Sequence, residues 1–173
     1  GLTIDYGPYG WIDDFDPDWT PNTTDAGRRR YRFGQQPAVA AWNLSRLAGA
    51  LVPLFDGTDA LQAGLDRYAA AYRVGAHANI AAKLGLADCR DDDVALMASL
   101  HALMQRAEVD MTLFFRALAD IDIATPTLAP LREAFYDDAK MRDVKPAFTD
   151  WLARYAARLA DDARPAAERR AAM

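Results

Sequence analysis

Asp5, Tyr6 and Gly7 are the residues whose types and spacing come closest to chemistry, because a carboxylate there follows the apolar run of residues 2–4 and directly precedes a glycine. An aspartate at a strand end, before a glycine turn, is placed to hold a divalent cation against phosphate oxygens. Gly7 would let the backbone turn immediately after the ligand. The same three residue types also make an ordinary turn capped by an aspartate, and by themselves they do not separate the two readings.

Farther along, Asp13, Asp14, Asp16 and Asp18 invite a calcium reading. Counted from Asp14, oxygen-bearing residues fall at loop positions 1, 3, 5, 7, 9 and 12, namely Asp14, Asp16, Asp18, Thr20, Asn22 and Asp25. Against it, Trp19 stands where the sharp turn of such a loop requires glycine, Pro17 and Pro21 stiffen the segment, and an Asp takes the place of the closing bidentate Glu. A hydrogen-bonded turn is the better reading. Arg28, Arg29, Arg30 and Arg32 form a basic run interleaved with Tyr31 and Phe33. That pattern can bind nucleic acid, but beside so many aspartates the arginines are expected to pair locally or to shape a groove for a protein substrate. His77 and His101 lack a Glu or His at metal-binding spacing, and Cys89 has no histidine nearby in sequence, so all three read as core or surface residues.

The elements that must position these residues fall into two styles. Residues 1–36 mix Gly, Pro, Asp, Asn and aromatics without helical period, as an ordered functional loop does. From Pro37 onward the pattern is helical. Pro37 suits a first helical turn, and Val39, Trp42, Leu44, Leu47 and Leu51 give a broad apolar face. A second helix is expected from near Thr58 to Leu84, with Leu61, Leu65, Tyr68 and Tyr72 as a buried stripe. Asp91, Asp92 and Asp93 favour the positive start of a third helix carrying Leu96, Leu100, Leu103 and Met104. A fourth carries Met111, Phe114, Phe115 and Leu118. After Pro126 and Pro130 comes a weaker segment around residues 131–136, then a helix with Phe148, Trp151, Leu152, Tyr155 and Leu159 on one face. Residues 164–173, rich in Ala and Arg, are expected to be an exposed helix or a frayed end.

The chain has 173 residues, of which 51% are hydrophobic, enough for one sizeable core in one domain or lobe. A net charge of −5 gives no general attraction for phosphate backbones or anionic lipid, so neither nucleic acid nor membrane is an expected partner. The longest apolar stretch, residues 47–55, is too short to cross a bilayer. Cys89 is the only cysteine, which excludes an internal disulfide and fits a reducing, cytoplasmic setting. Gly1 in place of Met, and an apolar strand-like start without a following partner strand, read as a cut end. Arg-for-Lys and Ala bias hints at a GC-rich bacterial genome.

Read as a whole, DYGPYGWIDDFDPDWTPN (residues 5–22) followed by RYRFGQQPAVAAWNLSRLA (residues 30–48) resembles the selenoprotein O family. The resemblance implies a mainly α chain: the helical C-terminal lobe of a protein-kinase-like fold over residues 37–173, preceded by a long loop, ordered or partly disordered, over residues 1–36. It implies an enzyme that binds its nucleotide in reversed orientation and transfers AMP, not phosphate, from ATP to Ser, Thr or Tyr hydroxyls of proteins. Asp5 matches the family's catalytic metal ligand, holding Mg²⁺ (or Mn²⁺) against the nucleotide phosphates, with Tyr6 and Gly7 completing the motif. The family's Gly-rich loop, nucleotide-binding Lys and Arg, helix Glu, catalytic-base Asp and second metal ligand Asn precede Gly1, so these 173 residues alone are expected neither to bind ATP tightly nor to transfer AMP. The basic run, by kinase analogy, falls in the activation segment and is read as facing the protein substrate. Without the resemblance, the residue patterns favour a non-enzymatic helical interaction module whose Asp-rich loop is structural.

Overall fold

The computed structural model describes residues 10–21 and 27–173. Among the described residues six α-helices carry most of the structure: α1 (Gln36–Leu51), α2 (Asp59–Leu84), α3 (Asp91–Ala107), α4 (Met111–Leu118), α5 (Asp138–Ala160) and α6 (Ala166–Ala172). Short 3-10 segments cover Phe33–Gln35, Val52–Leu54 and Ala129–Ala134. Among the described residues there is no strand, only two isolated antiparallel pairings, Asp14 with Asp110 and Val109 with Phe135. The chain divides into two compact units, the first comprising, among the described residues, 10–12 and 16–75, the second 13–15 and 76–173.

In the first unit, residues 16–19 lie against residues 33–34, with Phe33 N donating to Trp19 O at 2.9 Å and Gly34 N to Pro17 O at 2.7 Å. A Cβ at residue 34 would stand 3.0 Å from both the Cβ and the carbonyl oxygen of Pro17, so a side chain there would push the two segments apart. Pro37 occupies the first turn of α1, as expected of a residue with no N–H to offer. Its carbonyl accepts the Tyr68 hydroxyl at 2.9 Å, which ties α1 to the first half of α2.

The apolar faces expected on α1 and α2 are formed but not covered. Of the α1 face only Val39 is buried, while Trp42 is 46% and Leu47 54% exposed. On α2, Leu61, Leu65 and Tyr68 are half-buried, and Tyr72 is exposed. The expected buried stripe is therefore corrected. Periodicity marks which side of a helix is apolar, but burial needs a second surface, and the described residues of this unit supply two α-helices, short 3-10 segments and a loop.

The second unit closes its own core. Gly85, at φ +67°, ends α2 in the left-handed conformation. Leu86 N then returns to Ala81 O (2.8 Å) and Gly85 N to Ala82 O (3.1 Å), the paired bonds of a Schellman turn that deliver fully buried Leu86 into the core. Asp93 accepts Arg90 N at 2.8 Å before α3. Asp110 caps α4 through Leu113 N, and Asp137 caps α5 through the N–H groups of Ala139 and Lys140. Leu96, Leu100, Leu103 and Met104 of α3 are buried, as are Phe148, Trp151, Leu152, Tyr155 and Leu159 of α5. The helix runs through Pro146, which removes one backbone donor without ending it. Two polar atoms carried inward by these aromatics are satisfied across the core: Trp151 Nε1 donates to Leu96 O at 2.9 Å, and Tyr155 Oη to Leu84 O at 3.0 Å. Burial raises the Tyr155 phenol pKa well above its ordinary value, so the hydroxyl stays a donor.

α6 departs from expectation at one residue. Most of it is exposed, but Arg169 is 8% exposed and its Nε has no hydrogen-bond partner. The bare backbone of Gly85 admits the aliphatic stem of Arg169, because a Cβ at residue 85 would lie 2.2 Å from Arg169 Cγ.

Candidate functional site

Asp5, Tyr6 and Gly7 lie outside the described residues, as do Asn22 and Asp25 of the calcium count. What the structure describes is the segment that follows the motif. Asp16 Oδ1 accepts Asp18 N at 2.8 Å and its carbonyl accepts Trp19 N at 3.2 Å, a turn closed by its own aspartate. Asp18 receives Arg32 Nε at 2.8 Å, and its carbonyl accepts Arg29 at 3.2 Å. The local pairing expected between the basic run and the acidic cluster is thus present at Arg29 and Arg32. Asp14 pairs by backbone with Asp110, and the carbonyl of Asp13 accepts the Tyr136 hydroxyl at 3.3 Å. Among the described residues no three His, Cys, Asp or Glu side chains are grouped to hold a metal ion.

Arg30 does something different from its neighbours. Its guanidinium lies 4.0 Å from the centre of the Trp42 ring, and Arg46, one turn along α1, lies 5.6 Å from the same ring. The indole face is attractive to a cation, and the stacking holds the basic run against α1.

The remaining candidates take structural places. His101 stacks on Phe15 with ring centres 4.6 Å apart, and burial lowers its pKa. Cys89 is half-buried, and its thiol is pushed up by burial and by the carboxylates of Asp93 and Asp88, the opposite of what a nucleophile needs.

One constellation was not anticipated from sequence. Arg158 of α5 donates through Nε to Asp93 at 2.9 Å and through Nη1 to Asp162 at 3.2 Å, and its Nη2 reaches both the side chain and the carbonyl of Asp88. The side chains of Asp93 and Asp162 are 1% exposed. Burial alone would raise the Asp162 pKa, but the N–H groups of Arg164 and Ala87 and the charge of Arg158 hold it below the usual carboxylate value. The partners come from the turn before α3, the first turn of α3 and the end of α5, and every buried charge is paired, so the cluster is a clamp and not a catalytic group with a proton to exchange. The only available sequence signal was the aspartate run at residues 91–93, which does not reveal a partner 65 residues away.

All 173 residues match the family described as protein adenylyltransferase SelO. Among curated relatives, proteins described as protein nucleotidyltransferase YdiU are 58% identical in Azoarcus sp. (strain BH72) and 59% identical in Xanthomonas axonopodis pv. citri (strain 306), each over all of this chain and 33% of the relative. A relative of the same description from Xanthomonas campestris pv. campestris (strain B100) is 59% identical over 94% of the chain and 31% of its own length. The chain therefore spans about a third of the length of the curated relatives it matches. With a mainly helical structure and a family match from the first residue to the last, this chain belongs to the protein adenylyltransferase SelO family.

Proposed function

We propose that the whole protein to which these residues contribute transfers AMP from ATP to Ser, Thr or Tyr hydroxyls of proteins, with Asp5 as a ligand to the Mg²⁺ (or Mn²⁺) that accompanies the nucleotide. The observation that carries the reading is the family match over the complete chain, which includes the Asp5-Tyr6-Gly7 motif. A hard oxygen donor such as the Asp5 carboxylate suits a magnesium ion, which usually takes one or two carboxylates and completes its shell with water and phosphate. That ion would offset negative charge as the bond to the α-phosphorus changes hands. The rest of the kinase-like nucleotide site belongs to the polypeptide beyond the matched third. The described residues contribute support: the segment after the motif is fastened by Asp16, Asp18, Arg29 and Arg32, and packed onto α1 by the Arg30–Trp42 stack. The basic run faces the protein substrate in this reading. No helix among the described residues is long and apolar enough to cross a membrane.

The test is labelling of protein by ATP carrying the label on the α- or the γ-phosphate, using the polypeptide at the length of its relatives. Transfer of the α-label, lowered on the order of 100-fold or more in Asp5→Ala, is expected of a lost charge-stabilising group. Transfer of only the γ-label would replace the reading with an ordinary kinase, and equal labelling by both variants would remove Asp5 from the chemistry. The 173-residue chain alone should show no tight Mg-ATP binding by calorimetry.

A further inference from the structure

We propose that the uncovered apolar face of the first unit, the groove between α1 and α2 together with the apolar run that ends α1, is an internal interface of the longer polypeptide, covered by the part of that polypeptide outside the matched third. Nine of the thirteen large apolar side chains that are exposed among the described residues belong to this unit. Leu47, Val52, Leu54 and Phe55 fall within nine consecutive residues, 47–55, that contain no charged side chain. On α2, Tyr72 and Val74 are exposed at 49% and 71%. Between the helices lies a groove of about 320 Å³, lined by Pro37, Ala41 and Ser45 on one side and by Leu65, Tyr68 and Tyr72 on the other.

Scattered surface leucines need no partner, but a charge-free run of large side chains beside an open apolar groove is the signature of a surface meant to be covered. The occupant follows from length and from entropy. About two thirds of each curated relative lies outside the span matched here. A segment of the same polypeptide meets this face at millimolar effective concentration, whereas a second copy must first lose translational and rotational freedom. The complement is therefore an apolar segment in cis, laid along the groove.

The experiment compares this chain with the polypeptide at the length of its relatives by hydroxyl-radical footprinting, reading oxidation of Trp42, Leu54, Phe55 and Tyr72, with exposed Tyr136 of the second unit as reference. The expected result is oxidation several-fold slower at the four positions in the longer polypeptide, at every protein concentration and relative to Tyr136. A second arm uses Leu54→Asp, which should leave the melting temperature of the 173-residue chain unchanged and lower that of the longer polypeptide. Equal oxidation in both proteins, or a Leu54→Asp change that is silent in both, overturns the proposal. Protection that appears in the 173-residue chain as its concentration rises assigns the face to a second copy instead, and also overturns it. None of these outcomes depends on nucleotide transfer.

Discussion

Both units carry amphipathic helices, yet among the described residues one has a closed core and the other does not. Among the described residues 16–75, Val39 is the one large apolar side chain that is buried, while residues 76–173 bury Trp151, Tyr155, Phe114 and Phe148 almost completely. The difference does not lie in the helices, because α2 carries a regular apolar stripe as α3 does. It lies in what faces them: α3 has α5 along its length, and the indole and phenol of α5 find partners on α3 and on the last residue of α2. A helix gains most of its stability from such packing and little from its own propensity, so the first unit should contribute little to the stability of this chain alone.

The sharpest way to break this contrast is to truncate one tryptophan in each unit. Trp151→Ala should cost about 3–5 kcal/mol, since it opens a large cavity in the closed core. Trp42→Ala, at a half-exposed ring with two stacked arginines, should cost about 1 kcal/mol. Urea denaturation measures both, and equal losses would mean that the units share one stabilising core. Next in size, Arg158→Ala should cost about 3 kcal/mol by leaving Asp93 and Asp162 buried without their cation. Arg158→Lys should restore only part of that, because a single ammonium cannot serve both carboxylates in the planar geometry of the guanidinium.

Glycines sharpen the comparison further. Gly85→Ala should destabilise by about 1–2 kcal/mol through left-handed strain, and more if the Arg169 stem cannot move aside. Gly64→Ala, in the exposed part of α2 with nothing within 4 Å of the new Cβ, should stabilise by about 0.5–1 kcal/mol. Thermal melts of the two variants should move in opposite directions. The smallest effect concerns pH. Burial lowers the His101 pKa below 6.5, so the unfolded chain takes up its proton first as pH falls. The folded state is therefore favoured above pH 6.5 and loses that advantage as pH drops from there through the folded pKa. The urea midpoint should fall across it, and His101→Asn should flatten the slope.

Most helix positions were legible in sequence for a local reason. The Asp91-Asp92-Asp93 run marks the start of α3, Pro37 the first turn of α1, and three-and-four spacing the buried faces of α3 and α5. Coverage was not legible, and Tyr72 shows why: nothing near it in sequence says whether another surface will meet it. The Arg158 clamp was hidden for a related reason, since two of its three aspartates, Asp88 and Asp93, lie 70 and 65 residues away in sequence. At the candidate site, the family resemblance was readable from residues 5–48 because motif spacing is itself local, and the match over residues 1–173 upholds it. The Arg30–Trp42 stack was not foreseen, since it joins an irregular loop to a helix whose rotation only the fold sets.

The bonds that fasten α5 to the rest of its unit join residues 55, 65 and 71 positions apart, Trp151 to Leu96, Arg158 to Asp93 and Tyr155 to Leu84. On a ribosome these partners cannot meet until α5 has been synthesised and has left the exit tunnel, long after α1 and α2 are out. Until then Leu96, Leu100, Leu103 and Met104 of α3 lack the face that buries them, so the core of the second unit forms only once its last long helix is in place.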